Sequence, residues 1–247
     1  MQVTAIIPAR YGSSRFPGKP LAQIAGKPMI QWVYELARQV PELENIYVAT
    51  DDSRIAQCVQ AIGGTSILTG QEHVSGSDRL AEAARILNLP ADAIVVNIQG
   101  DQLVFPTSLI SELVVALQTD PSAALATPIR RFNDLALASN PNVVKTVFDR
   151  HHYALYFSRA PIPHFRDNGE APYYYKHIGI YVYRHDFLQR FVSLPAGSWE
   201  SAEKLEQLRA LEYGFRIKLV ETDFETLEVD TPEDVQKAET LLMAEKF

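Results

Sequence analysis

Apolar positions in the first half of the chain fall into two alternating patterns. Val3–Ile7 is an apolar run with Thr4 its one polar member, suited to a strand buried on both faces of a parallel sheet. Ile30, Val33, Leu36, Ala37 and Val40 then recur at helical spacing behind Pro28, a residue that suits the start of a helix. Ile46–Thr50 reads as the next strand, and Ile55, Ala56, Val59 and Ile62 as a helix that Gly63 and Gly64 end. Leu80, Ala83, Ala84 and Leu87 mark a further helix, and Ala93–Ile98 another buried strand. Leu109, Leu113, Ala116 and Leu117 mark the helix after that. Strands separated by helices of this length predict right-handed βαβ crossovers and an α/β fold: a mostly parallel open sheet with helices on both faces.

The pattern loosens after about residue 128. Val143–Phe148 and His177–Tyr183 read as longer strands around an aromatic, proline-rich stretch at 153–175. A helix over Ala202–Tyr213, a strand over Arg216–Val220 and a final helix from Pro232, with Thr231 as its N-cap, follow. No repeat, low-complexity tract or linker divides the chain, so residues 1–247 are expected to form a single domain. The second half is expected to supply a β-rich arm at roughly 129–185, suited to dimerisation, and hence a homodimer.

Charge narrows the partners. The net charge is −7, from 23 basic and 30 acidic residues, which argues against nucleic acid. The arginines are scattered apart from one cluster, Arg10, Arg15 and Lys19, and a positive pocket in an acidic chain points to a small, highly charged anion. Cys58 is the single cysteine, which excludes an internal disulfide and a cysteine zinc site, and it is expected to be a buried apolar filler in a reducing compartment. The first residues show no basic, apolar leader, and nowhere do the ~20 apolar residues of a membrane span occur, so no membrane contact is expected and the cytoplasm is the expected location.

The basic cluster lies in RYGSSRFPGKP, residues 10–20. An ATPase P-loop needs four residues between its glycines and a hydroxyl after its lysine; here five residues separate Gly12 from Gly18, and Pro20 follows Lys19. The dinucleotide pattern G-x-G-x-x-G is absent as well. The segment nevertheless leaves the carboxyl end of the first strand, where open α/β sheets bind ligands. Gly12, Ser13 and Ser14 allow backbone N–H groups to approach an anion, and the three cations can each add about 1.5–3 kcal/mol through a charge-assisted hydrogen bond. Pro17 and Pro20 stiffen the loop. A solvated basic turn is the plainer alternative.

The stretches IIPARYGSSRFPGKPLA, YVATDD, SGSDRLAEA, VNIQGDQ, YALYFSRAPIP, KHIGIYVYR, LEQLRALEYG and VDTPEDV run collinearly through the chain. With them it resembles the CMP-Kdo synthetases, the 3-deoxy-manno-octulosonate (Kdo) cytidylyltransferases, over essentially its whole length. The resemblance implies a fold of the nucleotide-diphospho-sugar transferase type. It also implies transfer of a cytidylyl group from CTP to Kdo, an acid sugar of lipopolysaccharide, with pyrophosphate leaving. Activation of 8-amino-Kdo or a sialic-acid-like sugar is the alternative within the class. A non-catalytic nucleotide-binding protein is the alternative outside it, although a pure binder needs neither of the two metal carboxylates named next.

Attack of a sugar hydroxyl on an α-phosphate needs positioning and charge neutralisation, and magnesium (Mg2+) is the expected cofactor. The resemblance assigns the metal to Asp101 in IQGD and Asp230 in VDTPED; a turn residue and a helix cap are the bland readings of the two. It places the nucleotide against Pro8, Ala9, Arg10 and Ser14, with Ser75 and Gly76 opening a helix beside it. Arg15 and Lys19 bind the nucleotide too and stabilise the leaving pyrophosphate, so that they and Asp101 form the catalytic set. The sugar maps onto Arg79, Gln99, Arg159, His177, Glu206 and Gln207. His177 reads equally as a structural histidine, and Glu206 and Gln207 as a solvated helix face. His73, His151, His152, His164 and His185 lack metal-ligand spacing and read as surface or loop residues, and Tyr173–Tyr175 as packing. One departure stands out: where family members commonly read QGDEP, this chain has Gln102 and Leu103 after Asp101.

Overall fold

The computed structural model describes residues 1–12, 16–73, 75–166, 173–224, 227–229 and 231–244. The chain opens on β1 (Val3–Ala9) and, after the basic loop, a short hairpin of β2 (Gln23–Ile24) and β3 (Lys27–Pro28). Pro28 is the N-cap of α1 (Met29–Ala37). The alternation continues with β4 (Asn45–Thr50), α2 (Ser53–Ala61), β5 (Thr65–Leu68), α3 (Gly76–Ile86) and β6 (Ile94–Asn97). β4 and β6 flank β1 in parallel, and β5 adds in parallel to β4. Gly63, at φ 75°, supplies the left-handed turn that follows α2. β7 (Gln102–Val104) and α4 (Thr107–Thr119) complete this half.

The second half extends the same sheet. It contains β8 (Ala123–Phe132), α5 (Leu135–Ser139), β9 (Lys145–Phe148), β10 (Ala154–Ser158), β11 (Tyr174–His177) and β12 (Tyr181–Arg184). Then come α6 (His185–Ser193), α7 (Ser198–Glu203), α8 (Gln207–Glu212), β13 (Arg216–Glu221), β14 (Leu227–Glu228) and α9 (Pro232–Ala244). Among the described residues ten strands form one sheet, in the order β10-β9-β11-β8-β12-β6-β1-β4-β5, with β13 paired to β8. β12 is antiparallel to both β6 and β8, so β8 and its parallel neighbour β13 run in the direction of β1. The strands of the 129–185 region join the main sheet through β8 and β12.

Burial along β1 shows why the sheet is covered twice. Val3, Ala5, Ile7 and Ala9 pack into one core with residues of α1, α2 and α4, whereas Ile6 enters a second core with α3, α6 and α8. Among the described residues no helix is long and apolar enough to cross a membrane.

Several expectations for the second half need correction. The strand over His177–Tyr183 is two strands, because the Thr127 hydroxyl reaches the Ile178 and Ile180 carbonyls where the ladder is interrupted. The helix over Ala202–Tyr213 is two short helices, broken where Lys204 takes a left-handed φ of 54° and Leu205 turns into the core. β10 lies unannounced inside the aromatic stretch. A register shift between Ala154 and Tyr156 breaks its two-residue period, leaving Leu155 exposed and Phe157 buried. His185 is buried at the start of α6 rather than on the surface, its Nδ1 3.0 Å from the Pro90 carbonyl. Cys58 is half-buried on α2, where burial pushes its thiol pKa up.

Candidate active site

The parallel strands deliver their carboxyl ends to one edge of the sheet, and the basic loop starts there. Gly18, at φ 72°, turns the loop back: its N–H donates to the Tyr11 carbonyl at 2.9 Å, and a Cβ there would meet the Tyr11 ring at 3.1 Å. Lys19 follows in a single 3-10 turn that buries Pro20. The Arg54 guanidinium, itself tied to Asp52, lies 3.4 Å from the centre of the Tyr11 ring and holds the loop from the side of α2. Arg10 is exposed just beyond β1. Ser14 and Arg15 lie outside the described residues, and so does Asp230.

Lys19 crosses to the neighbouring strand. Its Nζ donates to Asp101 Oδ2 at 2.5 Å, joining the loop after β1 to the turn after β6. Gly100 makes that approach possible, since a Cβ there would stand 3.0 Å from the Pro8 carbonyl oxygen. Gly76 faces the same point: a Cβ on it would lie 3.8 Å from both the Gln99 amide and the Pro8 ring. Pro8, Ala9, Lys19, Gly76, Gln99 and Asp101 therefore meet at the ends of β1 and β6. Next to Asp101, the Gln102 side chain is fully buried, and neither of its amide atoms has a hydrogen-bond partner among the described residues.

Helix α3 presents its amino end to this point through a capping box. Ser75 accepts from the Asp78 N–H at 3.1 Å, and Asp78 accepts from Ser75 in return. Two residues on, Ser77 donates to Glu206 Oε2 at 2.8 Å, a link between parts of the chain 129 positions apart. Burial pushes the Glu206 carboxyl above the usual range, against hydrogen bonds from Ser77 and Ser75. Tyr183 reaches both Ser77 and Asn97, and its buried phenol is pushed up by desolvation and by Glu206. The Gln99 amide donates to Asn97 Oδ1 at 3.4 Å. Two polar pairs, Gln99–Asn97 and Ser77–Glu206, thus lie under the site with the Tyr183 phenol beside them. Gln207 is buried at the start of α8, so neither it nor Glu206 is the solvated helix face that the bland sequence reading allowed. A recess of about 360 Å³ opens where Ser75, Lys204, Glu206 and Arg209 meet.

Two arginines are committed to protein. Arg79 is buried and donates to Asp51 Oδ2 at 2.8 Å, to Thr69 Oγ1 and to the Gly70 carbonyl, bracing the ends of β4 and β5. Arg159 donates to the carbonyls of Pro141, Glu203 and Lys204, so it fixes the α7–α8 junction beside Glu206. His177 is half-buried, edge-on to Phe157 at 5.1 Å, with Nε2 2.9 Å from Thr127 Oγ1. Burial, with the Lys176 ammonium second, pulls its pKa down to about 3. Ser77, Asn97 and Tyr183 lie inside stretches that carry the resemblance, but nothing in the sequence assigned them a role of their own, because small polar and aromatic residues look like packing until a fold brings them together.

A sequence model of the cytidylyltransferases matches residues 4–220. The chain belongs to the cytidylyltransferase family. It is 50% identical to a 3-deoxy-manno-octulosonate cytidylyltransferase of Syntrophus aciditrophicus, over 98% of each chain. It is 52% identical to an 8-amino-3,8-dideoxy-manno-octulosonate cytidylyltransferase of Shewanella pealeana, over 98% of this chain and 99% of the relative. Among solved structures, a CMP:2-keto-3-deoxy-manno-octonic acid synthetase complexed with CTP superposes with a TM-score of 0.93 at 44% identity, covering 99% of both chains. This cytidylyltransferase thus has the nucleotide-diphospho-sugar transferase type of fold, with the added antiparallel strands β9–β12.

Proposed function

We propose that this cytidylyltransferase transfers the cytidylyl group of CTP to Kdo, giving CMP-Kdo and pyrophosphate for lipopolysaccharide synthesis. The observation that carries the reading is the Lys19–Asp101 contact, which puts a phosphate-seeking cation and a carboxylate in one site at the carboxyl ends of parallel strands. Pro8, Ala9, Arg10 and Ser14, with Ser75 and Gly76 at the start of α3, receive the nucleotide. The amino end of α3 favours negative charge there. Lys19 and Arg15 take the charge that develops on the departing pyrophosphate.

The donor set around Asp101 suits magnesium. Among the described residues no three His, Cys, Asp or Glu side chains gather into a cage, and magnesium typically takes one or two carboxylates plus phosphate oxygens and water. Asp101 and Asp230 would hold it, and Val229, whose N–H donates to the Asp101 carbonyl, supports that pairing. Bound magnesium neutralises charge on the triphosphate. A triphosphate offers Lys19 more negative charge than Asp101 does, so its arrival frees the Asp101 oxygens.

On the sugar side, Gln99, His177, Glu206 and Gln207 face the hydroxyls. Arg79 and Arg159 act through the segments they brace, because their guanidinium groups are already engaged with protein. The 129–185 region, with Leu155 and Tyr173 exposed on and beside its strands, is the dimerisation surface in this reading. CTP as donor sets the cytoplasm as the compartment.

Relatives of nearly the same identity, 50% and 52%, carry Kdo and 8-amino-Kdo names, so the amino sugar is the second reading. Purified protein with CTP, magnesium and either sugar, followed by pyrophosphate release, tests both. Release with Kdo at the higher kcat/KM is expected; preference for 8-amino-Kdo selects the second reading, and binding of CTP without release with either sugar refutes both.

A further inference from the structure

We infer that a recess at the amino-terminal ends of β8 and β13 is a second anion site, shaped for a small multiply charged phosphate such as pyrophosphate. Because β8 and β13 run with β1, this recess lies at the end of the sheet away from Ala9 and Asn97. Its volume, about 540 Å³, falls within the roughly 300–1,000 Å³ of small-ligand pockets.

Charge and rigidity make the case. Arg150, Arg216 and Lys218 line the recess as permanent cations, and among the described residues Asp120 is the one carboxylate lining it. The result is a positive concavity in a chain of net charge −7. Asp120 is already saturated: it accepts from the Tyr153 hydroxyl, from Ser122 Oγ at 2.7 Å and from the Ser122 N–H at 3.1 Å, and it stands 3.6 Å from Lys218 Nζ. Among the described residues no ion pair takes up Arg150 or Arg216. Arg216 and Lys218 lie 4.9 and 4.8 Å from the centre of the Tyr153 ring, which fixes both against one platform.

The turn that carries Arg150 is equally set. Asp149 accepts from the N–H groups of His151 and Tyr153 at 2.8 and 2.9 Å, His152 takes φ 59°, and its carbonyl accepts from Leu219 at 2.8 Å. Lys218 Nζ closes the turn on the His151 carbonyl at 2.8 Å. Two guanidinium forks outside any ion pair among the described residues, with Lys218 in the same recess, offer the kind of donors that phosphate oxygens accept from.

Calorimetric titration of pyrophosphate into the full-length protein tests this. Two binding events per chain are expected, one at the basic loop and one here. Lys19→Ala should weaken only the first, and Arg150→Gln/Arg216→Gln should weaken only the second, by tenfold or more, with cytidylyl transfer unchanged. Arg216→Lys, which keeps the charge but not the fork, should retain the second event at reduced affinity and guards against a folding artefact. A single event that survives the double substitution overturns the proposal. So does capture by phosphatidylglycerol vesicles that depends on Arg150 and Arg216 without any second pyrophosphate event. Failure of the Lys19 arm alone would instead count against the catalytic reading.

Discussion

Thr127 decides what His177 can offer. Its hydroxyl has one proton and lies 3.1 and 2.8 Å from two carbonyl oxygens, which can only accept, so that proton goes to one of them. The remaining contact, at 2.9 Å, requires His177 Nε2 to be the donor, leaving Nδ1 as a bare acceptor. A neutral histidine in that tautomer suits a sugar hydroxyl, not the sugar carboxylate. Its pKa, about 3 in the fold against the ordinary 6.5, has a stability consequence. Between those values the unfolded chain binds a proton that the folded chain does not, so this contribution is present above pH 6.5 and lost as pH falls toward 3. Urea midpoints should therefore drop with acidification more steeply for wild type than for His177→Asn; equal slopes would deny the neutral ring. Two substitutions separate binding from chemistry nearby. Lys19→Ala should raise KM for CTP roughly ten- to a hundredfold, the value of a charge-assisted contact. Asp101→Ala should leave CTP affinity largely intact in calorimetry while cutting kcat by about a hundredfold or more.

Helix α3 carries its function at its first turn. Ser75 caps the helix and also sits beside Gly76, the residue that faces Pro8 and Gln99. Ser75→Ala should cost about 1 kcal/mol in denaturant unfolding and weaken CTP binding as well, whereas a cap with no ligand role would change stability alone. That helix was legible in the sequence because Leu80, Ala83 and Ala84 keep the 3.6-residue period, and β1 because its apolar run is buried on both faces. The loop after β1 was legible for a different reason, since clustered cations at a strand end in an acidic chain have few other uses. α7 and α8 were not legible as separate helices. A left-handed Lys204 leaves no mark in composition, and only the inward turn of Leu205 shows why the break exists. Likewise, the commitment of Arg79 to Asp51 and of Arg159 to three carbonyls depends on contacts 18 to 45 positions apart, which no local pattern encodes.

One sheet joins the two halves of the reaction, and a buried lysine holds the join. Lys145 opens β9 with no exposed surface, and its Nζ donates to the carbonyls of Asn140, Val143 and Arg159 at 3.1, 2.6 and 2.5 Å. Burial lowers its pKa, and the three carbonyls together with the nearby Glu203 carboxylate keep an ammonium acceptable there. Through the Arg159 carbonyl the lysine fixes the segment whose guanidinium holds the α7–α8 junction, and through β11 it is paired to the strand that ends in His177. The proposed nucleotide side, on β1, β6 and α3, makes none of these contacts. Lys145→Met keeps the length of the side chain but strands the carbonyls, each worth about 1–3 kcal/mol when left unpaired in the interior. The variant should unfold at markedly lower denaturant concentration. At temperatures where it remains folded, KM for the acid sugar should rise while KM for CTP stays near wild type. A parallel rise in both constants would mean that the two sides of the site are not held by separate parts of the sheet.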